Sequence, residues 1–478
     1  MVAKLFSMKA PPLLLTFLLF FSLVQGKQQP DQIIQIFRHG ARGPLTDYDS
    51  SWPSYQWGQL TPVGLRQHYI LGKVLAEKYS HLFEEYDYNQ VYLLADNTQR
   101  CIQSAEAQLY GMYLGSGPSL KNTYPSQLAV PPYQDQRVKE LAASLPNVEA
   151  IPNNNIPNIV NIIDQSNAII FQGDLFFFCP NQGQWSQENS NDTLAQEAWE
   201  LFQDTVNNAN QYLDDDHKLT ALYDLVSFGD FLLVNLADNR ALPGGLRDQE
   251  LIYNLTMAFT LFDFHVNNGQ LIQRQLGAFN IMNEVLKQLK AFKTGQQDSK
   301  KIALYSGHDT NLLAILGALG VINEDCLMKN FKSHLQHESQ IPYPDCYFPY
   351  FASDIIFEFY NDTTAPFVKV YYNNQILPLC NGQEACSYDD FVVLINNSTG
   401  NNTIETYNKK CGNQGEYRVD RGGEKKEESL NQNMMEIVGL WIMTILCSGL
   451  LLKNLIDNKK YNKLLADSSS EVMSSEIN

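Results

Sequence analysis

Three segments of the chain repeat one pattern of apolar and polar positions. Gln32–Phe37 is an apolar run that meets Arg38-His39. Val91–Ala95 meets Asn97-Thr98-Gln99-Arg100 and then a helical stretch from Ser104 to Tyr113. Lys301–Tyr305 meets Gly307-His308-Asp309, followed by Leu312, Leu313, Leu316 and Leu319 at helical spacing. A short apolar run, a polar turn and then a 3.6-residue repeat read as a βα unit, and such units assemble into a parallel sheet flanked by helices. Ligands of open α/β sheets bind beyond the carboxyl ends of strands, near helix N-termini whose free N–H groups attract anions, so the three turns are expected to share one pocket. Gly40 and Gly307 are expected to let backbone approach a ligand there. Between Thr123 and Leu286, Gln, Asn and helical patterns dominate without clear parallel strands. The expected class is α/β: a mostly parallel sheet with a second, smaller, mainly helical lobe inside about 123–286.

Two further apolar runs lie outside this pattern. Lys4 and Lys9 precede Leu13–Phe21 and the small-residue site Val24-Gln25-Gly26, so residues 1–26 are expected to be a cleaved secretory signal. Residues 434–452 approach the roughly 20 apolar positions that cross a bilayer and are expected to form one transmembrane helix. A charged, Asn-rich segment separates it from the globular part, giving a stalk at 412–433 and a tail at 453–478. Lysines and arginines flank both ends of the span, so the cleaved signal sets the orientation: type I, globular part luminal or extracellular, tail cytosolic. Tyr461-Asn462-Lys463-Leu464 in the tail resembles a tyrosine-based sorting signal read by an adaptor. Lysosome or endosome, or the cell surface, is the expected location, and a homodimer is compatible with it. Sequons at Asn191, Asn254, Asn361, Asn396, Asn397 and Asn401 fit a glycosylated luminal face.

The formal net charge of −18 falls to −20 once Lys4 and Lys9 leave with the signal, which argues against nucleic acid as a partner. An anion pocket in such a protein must be a local positive patch that works at short range. Arg38-His39-Gly40-Ala41-Arg42 supplies one, because arginine makes bidentate contacts to phosphate oxygens and imidazole can act as nucleophile or acid/base. Several common catalytic signatures are missing: no Gly-x-Ser-x-Gly, no Gly-Lys-Ser/Thr phosphate loop, no His-Glu-x-x-His, and no cysteine followed six positions on by arginine. His334 and His337 sit near helical spacing in a polar stretch that does not make a convincing metal site. No metal or cofactor is expected.

Arg38-His39-Gly40-Ala41-Arg42-Gly43-Pro44, Gly58-Gln59-Leu60-Thr61-Pro62-Val63-Gly64, Gln67-His68-Tyr69 and Tyr305-Ser306-Gly307-His308-Asp309-Thr310 together resemble the histidine acid phosphatase family over about Gln32 to Cys411. That family includes phytases and prostatic and lysosomal acid phosphatases, and has a lobe inserted beside its sheet. The resemblance implies a domain at 27–411 and hydrolysis of phosphomonoesters through a phosphohistidine. His39 is the implied nucleophile, Asp309 the proton donor, and Arg38, Arg42, Arg100 and His308 the phosphate ligands. The family's usual Ser-Thr-Asp-x-x-Arg-Thr setting is here Ala95-Asp96-Asn97-Thr98-Gln99-Arg100-Cys101, which keeps the arginine in register and changes its surroundings. The resemblance also implies disulfides Cys179–Cys411 and Cys380–Cys386, which leaves Cys326 for Cys346 and Cys101 as an inert core thiol beside Arg100. Two other readings stay open. The substrate could be phytate, a phospho-sugar or a phospholipid, with Trp52 and Trp57 in the wall of the site, or the fold could serve a silent receptor for a phosphorylated ligand.

Overall fold

The computed structural model describes residues 28–413 apart from 47, 49, 50, 84, 85, 116–135, 145–158, 165–168, 339–345 and 347. The expected signal, all of the stalk beyond Asn413, the membrane span and the sorting segment lie outside the described residues. Among the described residues, no helix is long and apolar enough to cross a membrane.

One mixed sheet organises the chain. Its strands are β1 Gln32–Arg38, β2 Val91–Ala95, β3 Asn161–Ile162, β4 Ile302–Gly307, β5 Asp354–Tyr360, β6 Phe367–Tyr372, β7 Gln375–Leu377 and β8 Cys386–Ser387, in the order β3-β2-β4-β1-β5-β6-β7, with β8 also on β6. β1, β2, β3 and β4 are mutually parallel, as their βα pattern predicts. From β5 onward every pairing is antiparallel, so the expectation of a mostly parallel sheet is corrected. The reason is local: β5 and β6 are joined by a short turn at 361–366, which only an antiparallel pair can use.

β1 lies between β4 and β5 with every residue buried. Alternate side chains serve two cores. Ile34 and Ile36, with Ala303 and Tyr305 of β4, pack against a large cluster that includes helices Leu222–Ala237, Gln249–Asn268, Leu271–Lys293 and Asp309–Ala318. Ile33 and Phe37, with Ile302 and Leu304, pack against Leu75 of helix Pro62–Lys78 and Ala105 and Leu109 of helix Gln99–Tyr113. Burial on both faces explains why β1 and β4 read as nearly continuous apolar runs. Between β3 and β4 the elements are helical, from Gln182–Ser190 through Leu271–Lys293. Disulfides join Cys179–Cys411, Cys326–Cys346 and Cys380–Cys386, and Cys101 is free and buried. Of the sequons, Asn254 lies on helix Gln249–Asn268 and is buried.

Polar residues inside the second core form a chain. Gln35 donates to Asp354 at 2.6 Å, Gln108 donates to Gln35 at 2.6 Å, His68 Nδ1 lies 3.1 Å from Gln108 Oε1, and His68 Nε2 donates to the Arg38 carbonyl at 3.1 Å. Burial pushes His68 down to about 4, against the pull of its neighbours Gln108 and the Arg38 carbonyl, and pushes Asp354 up to about 6. The chain therefore ties the end of β1 to two helices and to β5 through groups that have no access to water. Gln108→Leu should cost about 1–3 kcal/mol, the penalty for stranding buried partners, read as a lower midpoint in chemical denaturation; an unchanged midpoint would mean that the chain contributes nothing.

Candidate active site

Strand register brings the three polar turns together. Arg38 is paired with Gly307 and Ala95 with Ser306, so β1, β4 and β2 end at one level and His39, His308 and Asp96 follow side by side. His308 caps helix Asp309–Ala318 and Arg100 is the second residue of helix Gln99–Tyr113, so two helix N-termini face the same place. The resulting cavity, ≈ 480 Å³, has His39, Arg42, Asp96, Arg100, His308 and Asp309 in its wall. Gly40 and Gly307 are close-approach positions, but what approaches is protein. A Cβ on Gly40 would meet the backbone of Gly64, and one on Gly307 would meet Asn311 and Phe171, so their expected role beside a ligand is corrected to tight packing of the turns.

His39 is 2% exposed, and its Nδ1 lies 2.8 Å from the Gly40 carbonyl. Nδ1 must carry the proton to make that bond, which leaves the Nε2 lone pair unused. Burial, then the charges of Arg100, Arg38, His308 and Arg42, hold the His39 pKa well below the ordinary histidine value. His308 behaves in the opposite way. Burial disfavours its charge, but Cys101 beside the ring and the Asp96 carboxylate 2.9 Å from Nε2 outweigh that and push it up to about 9. One imidazole is thus kept neutral and the other, 5.5 Å away between ring centroids, is kept charged.

Each cation but one has a protein anion. Arg38 bonds Asp309 at 2.6 Å and the Pro349 carbonyl at 2.8 Å, with its guanidinium 4.3 Å from the Phe351 ring centre, and it is not part of the cavity wall. Arg42 makes a two-pronged pair with Asp230, at 2.9 and 3.2 Å. Arg100 forms no ion pair or hydrogen bond among the described residues. The Nε–H groups of Arg38, Arg42 and Arg100 are all buried without a partner among the described residues, a cost of about 1–3 kcal/mol each that an anion in the cavity would remove for Arg42 and Arg100. For Asp309, burial favours the neutral acid, but Arg38, Arg42 and His308 outweigh it and hold its pKa below the usual carboxylate range.

All six residues picked out in the sequence, Arg38, His39, Arg42, Arg100, His308 and Asp309, therefore converge, five on the cavity and Arg38 behind it. Trp52 is buried and donates to Asn235, and neither it nor Trp57 lines the cavity, so the expected aromatic wall is replaced by Phe171, Phe177 and Phe178. His334 pairs with Glu250 at 3.1 Å. The sequence reading missed Asp230, Asp263 and the role of Asp96. Asp230 and Asp263 each interrupt an apolar helical run, Phe228-Gly229-Asp230-Phe231 and Leu261-Phe262-Asp263-Phe264, and a carboxylate in such a run needs a partner or a proton. Asp263 takes the proton: burial, then Asp309, Asp230 and Asp174, push it up to about 8.

The comparisons with known proteins agree with this geometry. Prostatic acid phosphatase of Mus musculus is 25% identical over 407 residues, covering 80% of this chain and 90% of that protein. Lysosomal acid phosphatase of Xenopus laevis is 26% identical over 401 residues, covering 80% of each. Among solved structures, the phytase of Klebsiella sp. ASR1 shares the fold with a TM-score of 0.53 at 16% identity, over 78% of this chain and 96% of that one. The family model described as histidine phosphatase superfamily (branch 2) matches residues 30–373, and the chain belongs to that family.

Proposed function

We propose that the protein is an acid phosphatase that hydrolyses phosphomonoesters in two steps through a phosphohistidine on His39. The observation that carries this reading is a neutral imidazole with a free Nε2, set in a cavity whose arginines keep unpartnered donors. An ordinary histidine is largely protonated, and so useless as a nucleophile, in acid. Burial of His39, and then the cations around it, remove that difficulty by opposing its protonation.

In the first step Nε2 attacks phosphorus while Arg42, Arg100 and the His308 imidazolium take the charge of the non-bridging oxygens, the positioning and charge stabilisation that phosphoryl transfer requires. Arg38 stands one layer back, holding Asp309 in the free enzyme. A phosphate dianion beside Asp309 offsets the arginine charges that hold its pKa down, so that substrate binding lets it take a proton, which it gives to the leaving oxygen. Water then hydrolyses the phosphohistidine, with Asp309 as its base. Below neutral pH this cycle has both the neutral nucleophile and the protonated acid it needs.

Among the described residues the cavity wall includes Asp96, Asp174 and Asp309 and no lysine, with Phe171, Phe177 and Phe178 alongside. Such a wall suits a monoester with an apolar or uncharged leaving group and repels a polyphosphorylated one, so the phytase reading is the weaker. The three disulfides suit an oxidising compartment. With the secretory signal at 1–26, the span at 434–452 and the tail motif at 461–464, the proposed setting is luminal or extracellular on a lysosomal, endosomal or surface membrane.

The intermediate is tested by quenching the enzyme without acid after labelled monoester is added. Label should appear on the peptide containing His39, and His39→Ala should trap none and lose nearly all turnover; label on a serine or on Cys101 would contradict the mechanism. The reading also ties pH behaviour to Arg100, the leading charge that opposes protonation of His39. Because the deprotonated imidazole is the active form and Arg100 lowers its pKa, Arg100→Gln should move the acid limb of kcat/KM to higher pH, beyond any uniform loss of rate. A limb that stays in place would separate that limb from His39. For Asp309, Asp309→Asn should cut turnover of a sugar phosphate by roughly 10²- to 10⁴-fold, the scale of general acid catalysis, and affect p-nitrophenyl phosphate far less. Equal losses on the two substrates would assign Asp309 to orientation or to the water step.

A further inference from the structure

We propose that Asp96, Cys101 and His308 form a binding site for a thiophilic divalent cation such as Zn²⁺, and that the ion, once bound, blocks the active site instead of serving it. These three side chains offer ligand atoms that all lie within 4.8 Å of one another. Among the described residues they are the one such cluster of histidine, cysteine and acidic groups. Cys101 Sγ is 3.7 Å from His308 Nε2, and Nε2 is 2.9 Å from Asp96 Oδ2. Tetrahedral zinc, with metal–nitrogen and metal–oxygen bonds near 2.1 Å and metal–sulfur bonds near 2.3 Å, needs ligand separations of about 3.4–3.6 Å. The nitrogen–sulfur distance already fits, and the nitrogen–oxygen pair must open by about half an ångström to the zinc spacing.

The donor set is a mixed one, with a thiol, an imidazole and a carboxylate, which suits zinc and cadmium better than magnesium or calcium. Access is from the cavity, whose wall includes Asp96 and His308, while Cys101 is wholly buried beneath them. A fourth position would face the cavity.

Charge balance explains how a cation can settle among arginines. Without metal, the thiol donates to the Gly307 carbonyl at 3.3 Å, and the proton between His308 and Asp96 balances the carboxylate. Metal binding displaces the thiol proton to solvent, and the resulting thiolate and the Asp96 carboxylate together carry two negative charges that offset the divalent ion beside Arg42 and Arg100. What changes is function: His308 exchanges its proton for the metal, and the ion stands next to His39, whose ring centre is 5.5 Å from that of His308. The sequence reading treated Cys101 as an inert thiol and expected no metal; packing places that thiol under an active-site histidine.

The test is a Cd²⁺ titration of the purified full chain in a Cys447→Ser background, followed by the ultraviolet absorbance of the thiolate–cadmium bond. The absorbance should rise to saturation at one equivalent per chain, Zn²⁺ should compete it away, and Cys101→Ser should abolish it. Asp96→Asn, which keeps the thiol, should retain the absorbance but weaken cadmium binding at least ~10-fold; it also decides the matter if Cys101→Ser does not fold. Absorbance that is absent, or equal in the Cys101→Ser protein, would overturn the site, as would unchanged affinity in Asp96→Asn. Monoester hydrolysis by the same samples should fall with cadmium occupancy and return on chelation in the parent but resist cadmium in Cys101→Ser. Full hydrolysis at saturating cadmium would overturn the blocking role. The absorbance needs no turnover, so a protein that binds cadmium and hydrolyses nothing would refute the phosphatase reading and leave the metal site standing.

Discussion

Repulsion among cations around one buried imidazole is the constraint on which the rest of this site depends. Burial opposes a proton on His39 most, and the charges of Arg100, Arg38, the His308 imidazolium and Arg42 oppose it further. Assembling so much positive charge in a dry place is costly unless anions are supplied. The fold supplies them from separate elements: Asp309 for Arg38, Asp230 for Arg42 and Asp96 for His308. Arg100 is left without one among the described residues, and it is in the cavity wall. The unbalanced charge therefore sits where a phosphate would lie, in a chain whose net charge of −18 would otherwise repel it.

The scaffold makes this arrangement precise through register. Arg38 opposite Gly307 and Ala95 opposite Ser306 fix the three turns to within a residue, and a slip of one position would turn alternate side chains to the wrong core. The buried chain from Asp354 through Gln35 and Gln108 to His68 then anchors the carbonyl of Arg38, immediately before the nucleophile. His68 and Gln35 thus act through backbone position and not through contact with substrate. Gly40 works in the same way, since its missing side chain lets helix Pro62–Lys78 close over the turn.

The parallel half of the sheet and the six site residues were legible because each lies within a few residues of a strand end, where periodicity and residue type are local signals. The antiparallel half was not, because β5 and β6 are joined by a short turn and neither is followed by a helical repeat that would mark a βα unit. Asp230 is 188 residues from Arg42 and Asp96 is 212 from His308, and a single sequence carries no sign of such pairings. Yet Asp230 was discoverable as an acid inside an apolar helix, and the unusual Ala95-Asp96 and Arg100-Cys101 of the second turn marked the place where this chain departs from its relatives. Packing turns that departure into a carboxylate and a thiol on either side of His308.

The protonation state of His39 tests this account most directly. Nitrogen-15 NMR of histidine-labelled protein, with His39 assigned by comparison with His39→Gln, follows the imidazole as pH is lowered. The account predicts a neutral ring with its proton on Nδ1 that persists well below pH 6.5, the ordinary histidine value. A His39 that titrates at or above that value would show that the surrounding cations do not control it, and would contradict the explanation of how this histidine attacks phosphorus in acid.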